Sequence, residues 1–174
     1  MTHFAKFFGA AILAVGVAFS GAPAGEAAGR QAPEFSGINH WLNSGPLSMA
    51  SLRGKVVLVD FWTYGCINCV RTLPHVTALY NKYAGRGLVV VGVHTPEFPF
   101  EKVTANVETA IARHAIRYPV AQDNAFSTWN AYGNQFWPAQ YIIDRSGKIV
   151  YTHSGEDAYE KIEATVKALL DAEG

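Results

Sequence analysis

The sequence predicts an α/β fold in which helices cover both faces of a central mixed sheet. Two nearly continuous apolar runs of strand length, KVVLVDFW (55–62) and LVVVGVH (88–94), lie on either side of a segment with helical periodicity. A later pair of strand-like runs flanks the turn sequence RSGK (145–148) and predicts a hairpin. Alternating strands and helices favour parallel pairing where helices cross over, and the hairpin adds antiparallel strands.

The first helix is predicted from about Cys66 to Ala84, directly after the first buried strand. Glycines 85 and 87 end it. Its apolar side chains recur at three- and four-residue spacing: Leu73, Val76, Leu79, Tyr80 and Tyr83. This periodicity is typical of an amphipathic helix with one face on a sheet.

The rest of the chain is also predicted to contain amphipathic helices and short strands. A helical face is predicted after the second strand and closes near His114, and another covers the C-terminal segment. The predicted apolar positions are Phe100, Val103, Val107 and Ile111 in the former, and Tyr159, Ile162, Val166, Leu169 and Leu170 in the latter. Between them lie a short strand (118–123), a short helical or irregular piece (124–133) and the two hairpin strands (138–144 and 149–155).

The N-terminal part contains two further predictions. Residues 1–28 resemble a secretory signal peptide, with cleavage near 24 or 28, because Lys6 precedes an apolar run (7–19) and small residues. That run has 13 residues, against about 20 for a membrane-spanning helix, so a retained anchor is the less favoured alternative. Residues 29–174 are expected to form one domain, with a short hairpin extension in 31–55. The predicted location is outside the cytoplasm, most simply the periplasm.

The overall charge argues against a nucleic-acid partner. The chain has 14 basic and 14 acidic side chains, and 49% of its residues are hydrophobic. A net charge of zero provides no long-range field that attracts polyanions.

The two cysteines, Cys66 and Cys69, lie in FWTYGCINCVRTLP (61–74), where the first strand ends and the first helix begins. A staple is a poor explanation, since a disulfide that closes a four-residue ring removes little unfolded-state entropy. Haem attachment requires a histidine after the second cysteine, where this chain has Val70. A zinc site would need two more ligands, and the histidines lack the spacing of a zinc finger. Copper binding by both thiols with His94 or His153 stays open.

Redox exchange suits this position best. A helix N-terminus carries unpaired amide hydrogens and partial positive charge, which favour a thiolate. We therefore predict that Cys66 is exposed and acts as the nucleophile, and that Cys69 is more buried and resolves the mixed disulfide.

The motifs VVLVDFWTYGCINC, GVHTPEF and WPAQYIID, together with Pro74 five residues after Cys69, give the chain a family resemblance. It resembles the thioredoxin superfamily, and within it the exported TlpA/ResA-like thiol-disulfide oxidoreductases. The residues of these motifs are most similar to those of the thioredoxin-like domain of DipZ-type cytochrome c biogenesis proteins. The resemblance implies a thioredoxin-like fold over nearly all of the chain that follows the predicted signal peptide.

The resemblance also implies roles for two residues outside the cysteine pair. Asp60, six residues before Cys66, would exchange a proton with the resolving thiol, and its apolar strand should raise its pKa. Its alternative is a carboxylate satisfied by a local hydrogen bond. Pro138 would be a cis-proline that offers backbone hydrogen bonds to an extended substrate, with a plain strand-start proline as the alternative.

Four more residues are candidates for substrate contact. Trp62, Tyr64 and Trp137 are expected to form an apolar rim around Cys66, with Trp137 replacing the threonine or valine common in thioredoxins. Glu97, just after the second strand, could be the acid that some TlpA/ResA-like proteins hold near their cysteines, or a solvated loop residue. Trp129 and Phe136 are expected in the core.

The expected function is thiol-disulfide exchange with exported proteins that carry cysteines, apocytochrome c among them. A membrane protein is expected to donate the electrons for this exchange. No metal or cofactor is expected beyond the Cys66–Cys69 pair. One rival is a thiol peroxidase, because Thr63 and Cys66 form its T-x-x-C pattern, although Val59 stands where its proline is expected. The other is a periplasmic copper carrier. The sequence leaves the direction of electron flow open, and we expect a potential more reducing than that of a strong periplasmic oxidant.

Overall fold

The computed structural model describes residues 29–172, together with Met1. The predicted signal peptide, 1–28, therefore lies almost entirely outside the described residues. Within them, no helix has the length and apolar character needed to cross a membrane.

Residues 29–172 form six strands and four α-helices, which follow the predicted order from the first buried strand onward. The strands are β1 (His40–Leu42), β2 (Val56–Trp62), β3 (Leu88–His94), β4 (Val120–Gln122), β5 (Ala139–Ile143) and β6 (Ile149–Ser154). The helices are α1 (Ile67–Tyr83), α2 (Thr104–Arg113), α3 (Ser127–Tyr132) and α4 (Tyr159–Asp171).

The strands form one mixed sheet in the order β1-β4-β3-β2-β5-β6. The neighbours β2, β3 and β4 run parallel, whereas β1, β5 and β6 pair antiparallel to their neighbours. All seven residues of β2 are buried, as its continuous apolar run predicts for a strand covered on both faces. In the centre of the sheet, Asp60 of β2 pairs with Gly92 of β3 on one side and Gln140 of β5 on the other.

Helices cover both faces, as predicted, but unequally. Apolar residues of α1, α2 and α4 pack with Leu58 and Trp62 on one face. The other face is covered by α3 and by the chain between 32 and 52, which pack against Phe61. Because side chains alternate along a strand, Asp60 shares the α1 face with Leu58 and Trp62.

The predicted hairpin in 31–55 is wrong in its pairing. The segment contributes the single edge strand β1, which pairs with β4, and a bridge from Gln31 to Lys148. Asn43 follows β1 with a positive φ of 62°, and its side-chain amide donates to the carbonyls of Ile116 and Tyr118, each at 3.0 Å. These bonds hold the turn against the chain before β4, so the strand pairs there rather than with itself.

The predicted helical face beginning at Phe100 is also corrected. A short 3-10 turn, Pro99–Lys102, comes first, and α2 begins only at Thr104 because Val103 is extended, with ψ of 114°. As a result Val107 and Ile111 are buried, but Phe100 and Val103 are exposed.

Candidate active site

Cys66 is the N-cap of α1, at the carboxyl end of β2. Its backbone is extended, its side chain is partly exposed, and its Sγ accepts a hydrogen bond from the backbone N–H of Cys69 at 3.4 Å. Cys69 lies within the first turn and is buried. Both are free thiols in this structure. The predicted difference in exposure between the two cysteines is therefore present.

Burial governs the acid–base behaviour beneath Cys66. Desolvation raises the pKa of Cys69, and the Cys66 hydrogen bond and nearby charges, Asp60 among them, add smaller contributions. Desolvation also raises the pKa of Asp60 to about 7, against a smaller lowering by Gln140, whose Nε2 donates to Oδ1 at 3.1 Å. The direction of this shift is the one expected for a carboxyl in an apolar strand. The local hydrogen bond offered as its alternative explanation is present as well.

The Trp137–Pro138 peptide bond is cis, as predicted. The Trp137 carbonyl oxygen lies 3.9 Å from Cys66 Sγ, so the start of β5 lies directly beside the reactive sulfur. The Trp137 indole is half-buried, donates to the Thr95 carbonyl at 3.0 Å and packs against Trp129, with ring centroids 4.1 Å apart. Trp137 therefore reaches Cys66 through its backbone.

In the loop after β3, the buried acid that contacts the cysteine motif is Glu101, and Glu97 is exposed. One Glu101 carboxylate oxygen accepts the N–H of Gly65 at 2.8 Å, and the other accepts those of Glu97 at 2.6 Å and Phe98 at 2.8 Å. A Cβ at Gly65 would overlap the Glu101 carboxylate. Sequence reasoning missed Glu101, although a glutamate at the third position of a helical turn that begins with Pro99 is a capping signal.

The expected rim is only partly present. Trp62 is fully buried, because it points from β2 toward α1, and its ring meets His94 edge-on at 5.1 Å between centroids. Tyr64 is half-buried, and its hydroxyl donates to the Phe100 carbonyl at 3.0 Å. Trp62 is thus a core residue, whereas Tyr64 links the cysteine motif to the loop after β3.

His94 lies buried under Tyr64, with the two rings stacked at 5.5 Å between centroids. Burial lowers its pKa to about 4, although the charge of Glu101 acts in the opposite direction. The imidazole is therefore neutral near pH 7. Its Nε2 lies 3.3 Å from the hydroxyl of Thr63, the threonine of the T-x-x-C pattern.

Of the two aromatic residues expected in the core, Trp129 is buried and Phe136 is exposed. Trp129 is buried and packs edge-on against Phe61, with centroids 5.7 Å apart. Phe136 is exposed, since it lies in the loop just before the cis peptide bond. In residues 29–172, no three His, Cys, Asp or Glu side chains lie close enough together to hold a metal ion.

Comparison with known proteins identifies the family. The Redoxin family matches residues 27–170. The thioredoxin-like fold is shared with a thioredoxin-like protein solved in its oxidised form, with a TM-score of 0.75 and 29% identity over 82% of this chain and 95% of that one.

Two curated relatives narrow this further. Protein DipZ of Mycobacterium tuberculosis is 49% identical over 143 residues, which cover 80% of this chain and 21% of DipZ, so the chain spans about a fifth of that relative's length. Thiol-disulfide oxidoreductase YkuV of Bacillus subtilis is 30% identical over 139 residues, or 79% of this chain and 93% of YkuV. The chain therefore belongs to the Redoxin family, and within it to the thiol-disulfide oxidoreductases with a thioredoxin-like fold.

Proposed function

We propose that the chain is an exported oxidoreductase that reduces disulfides in exported proteins and is re-reduced by a membrane electron donor. The observation that carries this proposal is the partly exposed Cys66 at the start of α1 with Cys69 buried one turn below it. This arrangement leaves one sulfur open to a substrate and keeps the second in reserve.

The exchange follows from the two positions. The Cys66 thiolate attacks one sulfur of the substrate disulfide, and the other substrate sulfur leaves as a thiolate. The Cys69 thiolate then attacks the Cys66 sulfur, which forms the Cys66–Cys69 disulfide and releases the second substrate thiolate. The substrate gains two electrons, which the dithiol loses.

Asp60 supplies the proton acceptor that the second step needs. Burial raises the pKa of Cys69, so this thiol needs a base before it can attack. A carboxyl whose pKa is about 7 takes up and releases protons near neutral pH. Gln140 holds this carboxyl through its amide, which makes Gln140 a positioning residue.

The start of β5 supports an extended substrate. The Trp137 carbonyl lies beside Cys66 Sγ, so a substrate strand that approaches the sulfur also meets the backbone of residues 137 and 138. In this proposal the cis-proline lines the site, and the Trp137 indole, held by Thr95 and Trp129, fixes its shape.

The direction of electron flow is argued from Cys66. Its recorded hydrogen bonds involve the N–H of Cys69 and the carbonyl of Trp137, and neither partner is a cationic side chain. A strong oxidant has a reduced form that is stabilised relative to its disulfide. Because no cationic side chain of the described residues hydrogen-bonds to Cys66 to give such stabilisation, we assign the reducing direction.

Export and partners rest on the sequence. The predicted signal peptide supports export, and the motif resemblance to the domain of cytochrome c biogenesis proteins supports exported proteins, apocytochrome c among them, as the recipients of the electrons. The proposal needs no bound cofactor, since the two cysteines carry both electrons.

Thiol peroxidase activity is the second candidate, because the Redoxin match and the T-x-x-C pattern both favour it. Against it, the Thr63 hydroxyl contacts His94 rather than Cys66, and Val59 replaces the expected proline.

A copper-binding measurement distinguishes a third function, copper carriage by the two thiols, from the two redox activities. Stoichiometric Cu(I) that the purified protein retains, and that the Cys66→Ser variant loses, would favour the copper carrier.

Trapping tests the main proposal. A Cys69→Ser variant should accumulate mixed disulfides through Cys66 when it is incubated with a periplasmic extract, because the resolving step is blocked. Cys66→Ser is the matched control and should capture none. Equal capture by the two variants, or rapid hydrogen peroxide turnover by the wild type with a dithiol donor, would overturn the proposal.

A further inference from the structure

Exposed apolar side chains are concentrated around Cys66. Apart from Met1, five large apolar residues of the described chain are exposed, and four of them lie within the cysteine motif or in the loops beside it. These four, with their exposed fractions, are Ile67 (60%), Phe98 (45%), Phe100 (54%) and Phe136 (58%). Ile67 follows Cys66 directly, and Phe136 precedes the carbonyl that contacts its sulfur. The face at which disulfide exchange must occur therefore carries four of the five large apolar side chains that are exposed in residues 29–172.

Two of these residues form a continuous aromatic shelf, which we define as Phe98 and Phe100. Their rings lie parallel, with centroids 5.5 Å apart and 5° between planes. The Phe98 ring comes within 3.8 Å of the position that a Cβ on Gly65 would occupy. Phe100 packs beside Tyr64, with centroids 6.2 Å apart. The shelf thus lies beside Gly65, the residue that precedes Cys66.

Hydrogen bonds hold the shelf in place. Glu101 is completely buried and joins the N–H of Phe98 to that of Gly65 through one carboxylate. The Tyr64 hydroxyl adds a bond to the Phe100 carbonyl. Two half-exposed aromatic rings are therefore fixed relative to the reactive sulfur, although burying them in the core would lower the free energy of the fold.

We propose that the aromatic shelf determines substrate specificity by binding a large apolar side chain that lies next to the reactive cysteine of a polypeptide substrate. The inference rests on the proposed exchange function and names the substrate class of the same site. The shelf is continuous with the exchange face, so the occupant must present a sulfur to Cys66 and an apolar group beside it. The carboxylate of Glu101 is engaged by three N–H groups, which leaves apolar contact as the main interaction.

Two matched peptide disulfides test this inference. Each is a disulfide-linked dimer of one short peptide, with the cysteine flanked by phenylalanine in the first and by serine in the second. The reduced protein is mixed with each, and the second-order rate of peptide-thiol release is followed by acid quench. Each turnover oxidises the Cys66–Cys69 dithiol to a disulfide and yields two peptide thiols. The wild type should prefer the phenylalanine peptide by about tenfold, since part of a ring becomes buried.

Variants assign the preference to the shelf. Phe98→Ser with Phe100→Ser should reduce the rate ratio to about one- to twofold, and the corresponding double leucine variant should keep part of it. Val103→Ser is the control, because Val103 is exposed in the same loop but has no recorded contact with the cysteine motif.

Three results would overturn the inference. They are a wild-type ratio near one, a ratio that survives in the double serine variant, and an equal loss of rate with both peptides, which would mean that the shelf only supports the fold. A wild type that reduces neither peptide would overturn the exchange function itself.

Discussion

At the scale of single residues, Asp60 shows how one burial event sets both stability and chemistry. Its carboxyl is enclosed beneath α1 and has one amide partner, so ionisation is penalised and its pKa rises from 3.8 to about 7. The folded protein therefore binds a proton at Asp60 over a pH range in which the unfolded chain has already lost it. Charging this group destabilises the fold, even though the charged form is the one that accepts the thiol proton.

We expect Asp60→Asn to be increasingly more stable than the wild type as the pH rises. The stabilising contribution of a raised pKa is complete below the unfolded value of 3.8 and is lost as the pH rises through about 7. The difference in free energy of unfolding between variant and wild type should therefore grow by about 2–3 kcal/mol from pH 5 to pH 8. Urea denaturation of both proteins in the reduced form measures it. Because other titrating groups, such as His94, are common to both, a difference that stays flat would contradict the buried-carboxyl interpretation.

At the scale of elements, Glu101 joins two loops that the sequence keeps far apart. The loop between β2 and α1 contains Gly65, and the loop between β3 and α2 contains Glu97 and Phe98. All three donate backbone N–H groups to the one carboxylate. Since each loop follows a parallel strand, both lie at the same edge of the sheet, where such folds place their sites.

Removing this carboxylate should loosen both loops together. We expect Glu101→Ala to lower the free energy of unfolding by about 2–4 kcal/mol, because it leaves three N–H groups without their acceptor. Glu97→Ala is the matched control, and the loss of this exposed side chain should change stability by less than about 0.5 kcal/mol. Urea denaturation at pH 7 compares them. Equal effects at the two positions would mean that the buried carboxylate does not hold the loops.

The elements also show what could and could not be read from the sequence. The strands β2 and β3, helix α1, the β5–β6 hairpin and α4 follow from local periodicity, which is why their prediction is confirmed. The pairing of β1 with β4 depends on the bonds of Asn43 to a segment more than 70 residues away, and no local pattern encodes it. The start of α2 was misplaced because Phe100 and Val103 fit the helical spacing although they remain exposed.

The site follows the same division. Cys66, Cys69 and the cis-proline lie in motifs, so their geometry could be predicted from the sequence. Trp62 was assigned to the rim because it is close to Cys66 in the chain, yet strand alternation turns it toward the core. Glu97 was chosen for its place after β3, but the 3-10 turn brings Glu101 back to the motif instead. Strand alternation accounts for the Trp62 error, and loop conformation, which depends on tertiary hydrogen bonds, accounts for the Glu97 error.

At the scale of the whole molecule, redox state and folding are linked through one thermodynamic cycle. If the folded chain favours the disulfide more than the unfolded chain does, the oxidised form must be the more stable one, and the potential must be correspondingly reducing. Among the described residues, Cys66 accepts a hydrogen bond from the N–H of Cys69 at the start of α1 but none from a cationic side chain, and burial raises the pKa of Cys69. This places the expected potential below that of a strong oxidant, which is about −120 mV.

We therefore expect the oxidised protein to unfold at a higher urea concentration than the reduced protein. The free energies of unfolding of the two forms should differ by about 1.4 kcal/mol for each 30 mV by which the potential of the folded chain lies below that of the unfolded chain. Urea midpoints of both forms and the equilibrium with glutathione provide two independent measurements of the same cycle. Cys66→Ser cannot form the intramolecular disulfide, so its midpoint should be the same under oxidising and reducing conditions. A reduced form that is the more stable of the two, with a disulfide fully reduced by modest glutathione, would assign the oxidising direction instead. In that case electrons would flow from exported proteins through Cys66 to an acceptor, by the same two-step chemistry in reverse.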